Sequence, residues 1–279
     1  MAINYDKYLY STGTHYISNS GGDENGGTKG GQAGDQTGKE WQLKKWYSRP
    51  WTVVLRYPDQ RVALEIAKLS IAAALNNNIG YDQSQRATYW KQLQAVGYDP
   101  SKIDANHKAE QDCTAGVTAN VRACGFIFGI PALQNLDTSG TRSTNMRSRF
   151  VKAGFKALTA SKYLTSGNYL LPGDILLYEN HHAATNVTLG AKVKAEWHPE
   201  DSIPTKPTED DDTMKKVVVT GDSVFVRKGP STDYGTMGAV HKDDKLPYFG
   251  YDYPDNGWHL VEYDKATGWI SGKYSRVEG

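Results

Sequence analysis

Apolar residues recur at helical spacing from Arg61 onward, where Val62, Leu64, Ile66, Leu69, Ile71 and Ala73 make one broad face; residues 76–80 stop the run. Upstream, the chain is first rich in Gly, Ser, Thr and Asn. Trp41, Trp46, Tyr47, Trp51 and Tyr57 then alternate with polar residues from Glu40 to Arg56, which predicts a glycine-rich loop followed by strands. A second helix is predicted over residues 83–96, a buried one over 115–124 ended by Gly125, and another over 144–153. After the turn signal Pro172-Gly173, residues 174–178 read as a core strand. Residues 183–188 and 192–197 then make a hairpin about Gly190.

Near residue 200 the pattern changes. Residues 199–213 hold three prolines and a dense acidic run, a composition that buries no core and stays extended. Beyond them come short alternating stretches, VVVTG, SVFVR, KLPYFGYDY, GWHLVEY and TGWISG, broken by Gly, Pro and Asp, which predict a small β-barrel. The organisation expected is an α+β domain over residues 1–198, with helices packed on an antiparallel sheet, a linker over 199–213, and an all-β barrel over 214–279.

Composition narrows the function classes. A hydrophobic fraction of 38% in 279 residues and a formal charge of +1 suit two ordinary cores, without the basic bias of a nucleic-acid binder. No apolar run approaches the ~18 residues of a membrane span, and the first residues lack the layout of a signal peptide. A chain made in the cytoplasm, with no membrane partner, is therefore expected, and nothing like a coiled coil argues against a monomer. Two cysteines are too few for a disulfide framework or a four-cysteine zinc site.

Cys113 stands where a helix begins, and there the unpaired backbone N–H groups and the helix dipole favour a thiolate. His182 follows a predicted core strand and is the candidate base; alternation turns only one of His181 and His182 inward. A lone cysteine is more often a small buried hydrophobe, and Cys124, about three helical turns further on, is read that way. The glycine-rich loop lacks the Gly-Lys-Ser/Thr ending of a phosphate cradle. Its Asp35, Gln36 and Thr37 form either a polar wall beside the thiol or a loop held by its own hydrogen bonds. Asp222, Asp233 and the other scattered carboxylates have no metal-ligand spacing, and no cofactor is expected.

Asp112-Cys113-Thr114 opening a helix, with Gly173-Asp174-Ile175-Leu176-Leu177 and then His182-Ala183-Ala184, resembles the NlpC-type peptidoglycan cysteine peptidases. The resemblance implies a papain-like fold, with Cys113 as nucleophile, His182 as base and Asp112 at the substrate; Thr114 replaces the family's usual serine. The family's third residue, an imidazole-orienting side chain about a dozen positions after the histidine, falls here on Lys194, which accepts no hydrogen bond. Residues 17–20 and 30–40, with Trp46-Tyr47 and Trp51 to Arg56, resemble a segment that follows the histidine strand in phage and gut-bacterial relatives. That implies a circularly permuted domain whose orienting residue is His15, or second Asn19. A C-terminal hairpin would instead supply Glu196 or His198.

The stretch from Val217 through Ser223-Val224-Phe225-Val226-Arg227 to Gly268-Trp269-Ile270-Ser271-Gly272 resembles a bacterial SH3 domain, which implies peptidoglycan binding. Its aromatic candidates are Tyr248, Tyr251, Tyr253, Trp258 and Tyr263, of which Trp258 and Tyr251 are favoured. Together the resemblances imply a phage-type endolysin, or a secreted autolysin, that cuts an amide bond of the stem peptide or cross-bridge. An N-acetylmuramoyl-L-alanine amidase with the same thiol and a non-catalytic wall-binding protein are the competing readings.

Overall fold

Strands form early, where aromatic and polar residues alternate, and the first long helix begins where a carboxylate can cap it. The computed structural model describes residues 3–29, 39–48, 50–199, 215–227, 232, 234–252, 257–264 and 266–278, with 249–252, 266 and 267 described by their backbone alone. The chain divides into two compact units, Met1–Pro199 and Glu200–Gly279. The linker expected over 199–213 lies, apart from Pro199, outside the described residues.

In the first unit a short helix, α1 (Asp6–Leu9), leads to strands β1 (Tyr16–Ser20), β2 (Trp41–Lys45) and β3 (Val53–Arg56). Helix α2 (Gln60–Leu75) follows; Asp59 caps it by accepting from the Arg61 N–H, and Val62, Ile66, Leu69 and Ala73 are buried. Next come β4 (Ile79–Tyr81), α3 (Thr88–Ala95), β5 (Ala109–Gln111) and the central helix α4 (Cys113–Ile127). The unit ends with α5 (Pro131–Gln134), α6 (Met146–Lys152), β6 (Lys156–Leu158), α7 (Ser161–Leu164), β7 (Ile175–Tyr178) and β8 (His182–Asn186). Six strands make one sheet in the order β2-β1-β8-β7-β3-β6, every neighbouring pair antiparallel, while β4 and β5 pair in parallel. This is the α+β arrangement expected.

The inner strands of the sheet are buried on both faces, and the alternation of side chains sorts two cores. Val53, Leu55, Leu177 and Ala183 join Val62, Ile66, Val117 and Val121 in the larger one, against α2 and α4. Their neighbours Val54, Leu176 and Ala184 point the other way and join Ile17, Trp51 and Leu170. β8 is therefore buried at all five positions and requires partners along both edges.

That requirement overturns the C-terminal hairpin. β8 pairs with β7 on one edge and with β1 on the other, at Ile17↔Asn186 and Ser18↔Thr185. Residues 194–196 form a 3-10 turn, and the segment before it packs on residues 167–170, where Gly190 donates to Leu170 O at 2.8 Å and Lys192 to Asn168 O at 3.0 Å. Two helix limits also move. Residues 83–87 stay outside α3 because they form the loop that carries Arg86 into the interior. Helix α4 runs past Gly125, whose missing Cβ admits α5: a Cβ there would lie 2.5 Å from Gln134 N. The stop is Gly129, in the left-handed region at φ 65, with Ile130 N–H returning to Gly125 O at 2.7 Å.

The second unit is sheet-rich: β9 (Lys216–Val219), β10 (Ser223–Arg227), β11 (Thr236–His241), β12 (Lys245–Asp252), β13 (Trp258–Tyr263), β14 (Ala266–Ser271) and β15 (Ser275–Glu278). Their order is β11-β10-β14-β13-β12-β9-β15 around a core of Val217, Val219, Val224, Val226, Val240, Leu246, Val261 and Ile270. β11 and β15 escaped the hydrophobic pattern because each is an end strand with a single buried residue. Trp258 corrects an expectation: at 7% exposure it is buried rather than offered to a ligand. Tyr248 and Tyr263 pack half-buried against the same core, whereas Phe225 and Tyr274 are exposed. The side chain of Tyr251, and all of Tyr253, lie outside the described residues.

Gly173 is the tightest backbone crossing: it has φ 85, and a Cβ would stand 2.1 Å from the carbonyl oxygen of Ala63 on α2. Gly173→Ala should therefore lower stability by roughly 2–4 kcal/mol, from left-handed strain plus overpacking. Gly13→Ala, with open space around its Cβ, should stay within about 0.5 kcal/mol of the parent in the same urea titration.

Candidate active site

Strand β5 runs directly into α4, so Asp112 becomes the N-cap and Cys113 the first helical residue. The Asp112 carboxylate accepts from the N–H groups of Thr114 and Ala115, both at 2.9 Å. It is also clamped from the α3 side. Arg86 donates through Nε and Nη2 to both carboxylate oxygens, and further to Thr114 Oγ1 (2.6 Å), Thr141 O (2.8 Å) and Ser139 O (2.5 Å). The two side chains are 6% and 8% exposed, so this is a buried ion pair with its hydrogen bonds satisfied. Asp112, expected at the substrate, is thus committed to the cap and to Arg86. Thr114 fits the same network, its hydroxyl 2.8 Å from Asp112 Oδ1.

Cys113 is partly buried, and its sulfur is approached by the backbone N–H of Ala183 at the start of β8. Burial pushes the thiol up to about 11, and the Asp112 carboxylate adds to the rise; the Ala183 and Thr114 N–H groups and the Arg86 guanidinium act against it without prevailing. The position at the helix start therefore does not lower the pKa of this thiol as expected. The capping carboxylate shares the Thr114 N–H with the thiol and takes that of Ala115. Cys124 is fully buried in α4 and belongs to the core, as read.

His182 opens β8 and is buried, while His181 faces outward and stacks on Tyr178 at 4.1 Å between ring centroids. The β1–β8 register puts Asn19 opposite Ala184 and so diagonal to His182 on one face. His182 Nε2 lies 2.8 Å from Asn19 Oδ1. An amide oxygen only accepts, so with Asn19 Oδ1 as the acceptor the hydrogen of this contact belongs to Nε2. Tyr47 Oη donates to the same Asn19 oxygen at 2.8 Å, and Trp51 covers the group, its ring centroid 6.2 Å from that of His182 and 5.7 Å from that of Tyr47.

The other candidates for the third position lie elsewhere. His15 is a correction: its Nε2 bonds Asn186 Oδ1 at 2.6 Å, at the opposite end of β8, and burial lowers its pKa. Glu196 sits in the 3-10 turn, and exposed His198 bonds Ala195 O at 2.7 Å, since the hairpin meant to bring them back does not form. Asp35, Gln36 and Thr37 lie outside the described residues. The described part of that loop is held by itself, Asp23 accepting from the N–H groups of Asn25 and Gly27. Thr28 O then accepts from the Gln83 N–H beside Tyr81. The Tyr81 phenol is pushed up to about 12, first by burial and then by the nearby Cys113, so it remains a hydrogen donor. Arg86 and Tyr81 were not anticipated. Among the described residues, no group of three or more His, Cys, Asp and Glu could hold a metal ion.

Residues 17–193, which carry β1, α4 and β8 together, match the family model described as an endolysin-like domain. The chain belongs to this endolysin-like family. Residues 222–276 match the bacterial SH3 domain model. No curated protein matches the chain. An endolysin-like domain joined to a bacterial SH3 domain supports a peptidoglycan-related endolysin, with peptidoglycan as substrate or binding target. Among the described residues, no helix is long and apolar enough to cross a membrane.

Two measurements probe this site. Arg86→Met in the endolysin-like domain leaves a buried carboxylate without its cation and should cost about 3–5 kcal/mol in urea unfolding. Arg86→Met with Asp112→Asn should recover part of that loss. Because the thiol's pKa is raised, its thiolate fraction falls about tenfold for each pH unit below 11. Alkylation of Cys113 by iodoacetamide should therefore be slower near pH 7 than that of free cysteine and climb steadily toward pH 11. A fast, flat rate from pH 7 would mean that the proton has already left the sulfur.

Proposed function

We propose that the endolysin-like domain is a papain-like, NlpC-type thiol hydrolase that cleaves an amide bond in the stem peptide or cross-bridge of peptidoglycan. The observation that carries this reading is the His182 Nε2 to Asn19 Oδ1 bond, made beside a strand whose next residue, Ala183, touches the sulfur of a cysteine at a helix start. Asn19 in this reading orients the imidazole, and His182 Nδ1 is the base.

A neutral thiol suits general-base attack: as Cys113 Sγ adds to the carbonyl carbon, its proton passes to His182, and the imidazolium then protonates the departing amine. Water adds to the resulting thioester, gives its proton to His182 and releases the acid and the free thiol. The backbone N–H of Cys113 and the protonated phenol of Tyr81 are the donors we assign to the developing oxyanion. No step calls for a metal or an organic cofactor.

The place of β1 beside β8 supports the circular permutation: the strand expected after the histidine strand is supplied by the N-terminal segment. The SH3 unit is read as the wall-binding module, with exposed Phe225 and Tyr274 as better candidates for contact than buried Trp258. The whole is read as a monomer that reaches the wall after phage-type release or as an autolysin.

Purified Gram-positive walls should lose turbidity with the native protein and not with Cys113→Ala, with new amino groups and no new reducing ends. Asn19→Ala should retain a residual rate, down on the order of ten- to a hundredfold. Sequencing of the freed N-termini separates an endopeptidase from an amidase, which would free only the alanine amine next to the sugar. Equal lysis by Cys113→Ala would remove the thiol mechanism, and binding without lysis by the native protein would favour a wall-binding protein.

A further inference from the structure

Asn19 carries more than one bond, and the second is not needed merely to hold β1. Its Oδ1 takes hydrogen bonds from His182 Nε2 and from Tyr47 Oη, each at 2.8 Å. A carbonyl oxygen has two lone pairs, and both are used by donors. Tyr47 follows β2 and is fastened in turn: Trp51 Nε1 donates to its carbonyl at 3.3 Å, and the two rings lie 5.7 Å apart. Trp51 is buried and stands against His182, and Asn19 is itself buried.

We propose that Tyr47 is a positioning residue that fixes the amide of Asn19 oxygen-inward and thereby holds His182 in the tautomer protonated on Nε2. The inference rests on the thiol-hydrolase reading for its catalytic meaning but not for its geometry. An asparagine amide is nearly symmetric in shape, and turning it over would present NH2 where the oxygen stands. His182 can follow that turn by moving its proton to Nδ1 and accepting at Nε2, which leaves no lone pair for the thiol proton. The phenol resists, because it is a better donor than acceptor, and in the turned state its own hydrogen loses the oxygen it now has. One such bond corresponds to about a fivefold bias between the two amide orientations.

The position was readable only as one member of an aromatic run. Nothing in the alternation of residues 40–56 distinguishes a ring that fills a core from one whose hydroxyl reaches a neighbouring strand.

The test is nitrogen NMR of the imidazoles in the full-length protein, with the His182 signals assigned by their loss in His182→Ala. Native protein should show His182 with its hydrogen on Nε2; a hydrogen on Nδ1 overturns the proposal without any variant. Tyr47→Phe, with native circular dichroism, should show an increased Nδ1–H fraction and a kcat on walls lowered about fivefold, KM unchanged. In an Asn19→Asp background a flip exchanges one carboxylate oxygen for another, so adding Tyr47→Phe should change neither the tautomer nor kcat further. An unchanged tautomer in Tyr47→Phe, or an equal further loss in the Asn19→Asp background, would make Tyr47 a packing residue and overturn the proposal. The tautomer readout is independent of the hydrolase reading, which stands or falls on Cys113→Ala.

Discussion

The buried pair of Arg86 and Asp112 is the constraint on which the rest of the site depends. A carboxylate at a helix N-cap is common on a surface, but here it is enclosed, and enclosure is tolerable only because a bidentate guanidinium meets it and the remaining donors find Thr114, Ser139 and Thr141. Three segments are thereby tied together: the loop before α3, the β5–α4 junction, and the chain leading to α6. Cys113 inherits its position from that knot, one residue beyond the cap. The same carboxylate raises the thiol. The interaction that places Cys113 thus also favours its protonated form, and in the proposed hydrolase reading this leaves a thiol proton for His182 to remove.

In the proposed thiol-hydrolase mechanism, a protonated thiol makes the state of the base decisive. If the sulfur were already a thiolate, the tautomer of His182 would matter mainly for the later protonation of the leaving group. With the proton on sulfur, the lone pair must be on Nδ1 at the moment of attack, and every group that biases the imidazole acts on the first step. In that mechanism Asn19, and Tyr47 behind it, would carry the orientation that a thiolate–imidazolium pair would otherwise supply by charge.

Much of the frame was legible. The buried face of α2 follows from the 3.6-residue spacing of Val62, Ile66, Leu69 and Ala73, and the start of α4 from the Asp112 cap. β7 follows from its position after the Pro172-Gly173 turn. What failed depended on contacts distant in the chain. Gly125 reads as a stop because a glycine often follows a helix end; it is instead where α5 approaches, and the stop is Gly129 four residues later, left-handed and followed by the hydrogen bond from Ile130 N–H back to Gly125 O. The hairpin after β8 failed for a related reason: local alternation describes a strand but not its partner, and β1 outcompetes any local partner because it is buried from Ile17 to Ser20. Trp258 shows the limit for single residues, since a tryptophan flanked by glycine fits an exposed ligand contact and a barrel core equally well.

His15 and Asn19 illustrate the same limit within four residues. Both are polar, both sit on or beside β1, and both reach β8, but they reach opposite ends of it. His15 bonds Asn186, whose amide also ties down Leu171 O and Thr188 O, while Tyr16 N–H reaches Thr188 Oγ1 at 2.8 Å. These bonds set the register of β1 against β8 at the end away from the thiol. A one-residue slip would turn Asn19 to the other face of the sheet and away from His182. His15 therefore matters to the site after all, by fixing the strand that carries Asn19. A residue type suited to catalysis here aligns the strands with Asn186, while the amide that reaches His182 is that of Asn19, further along the same strand.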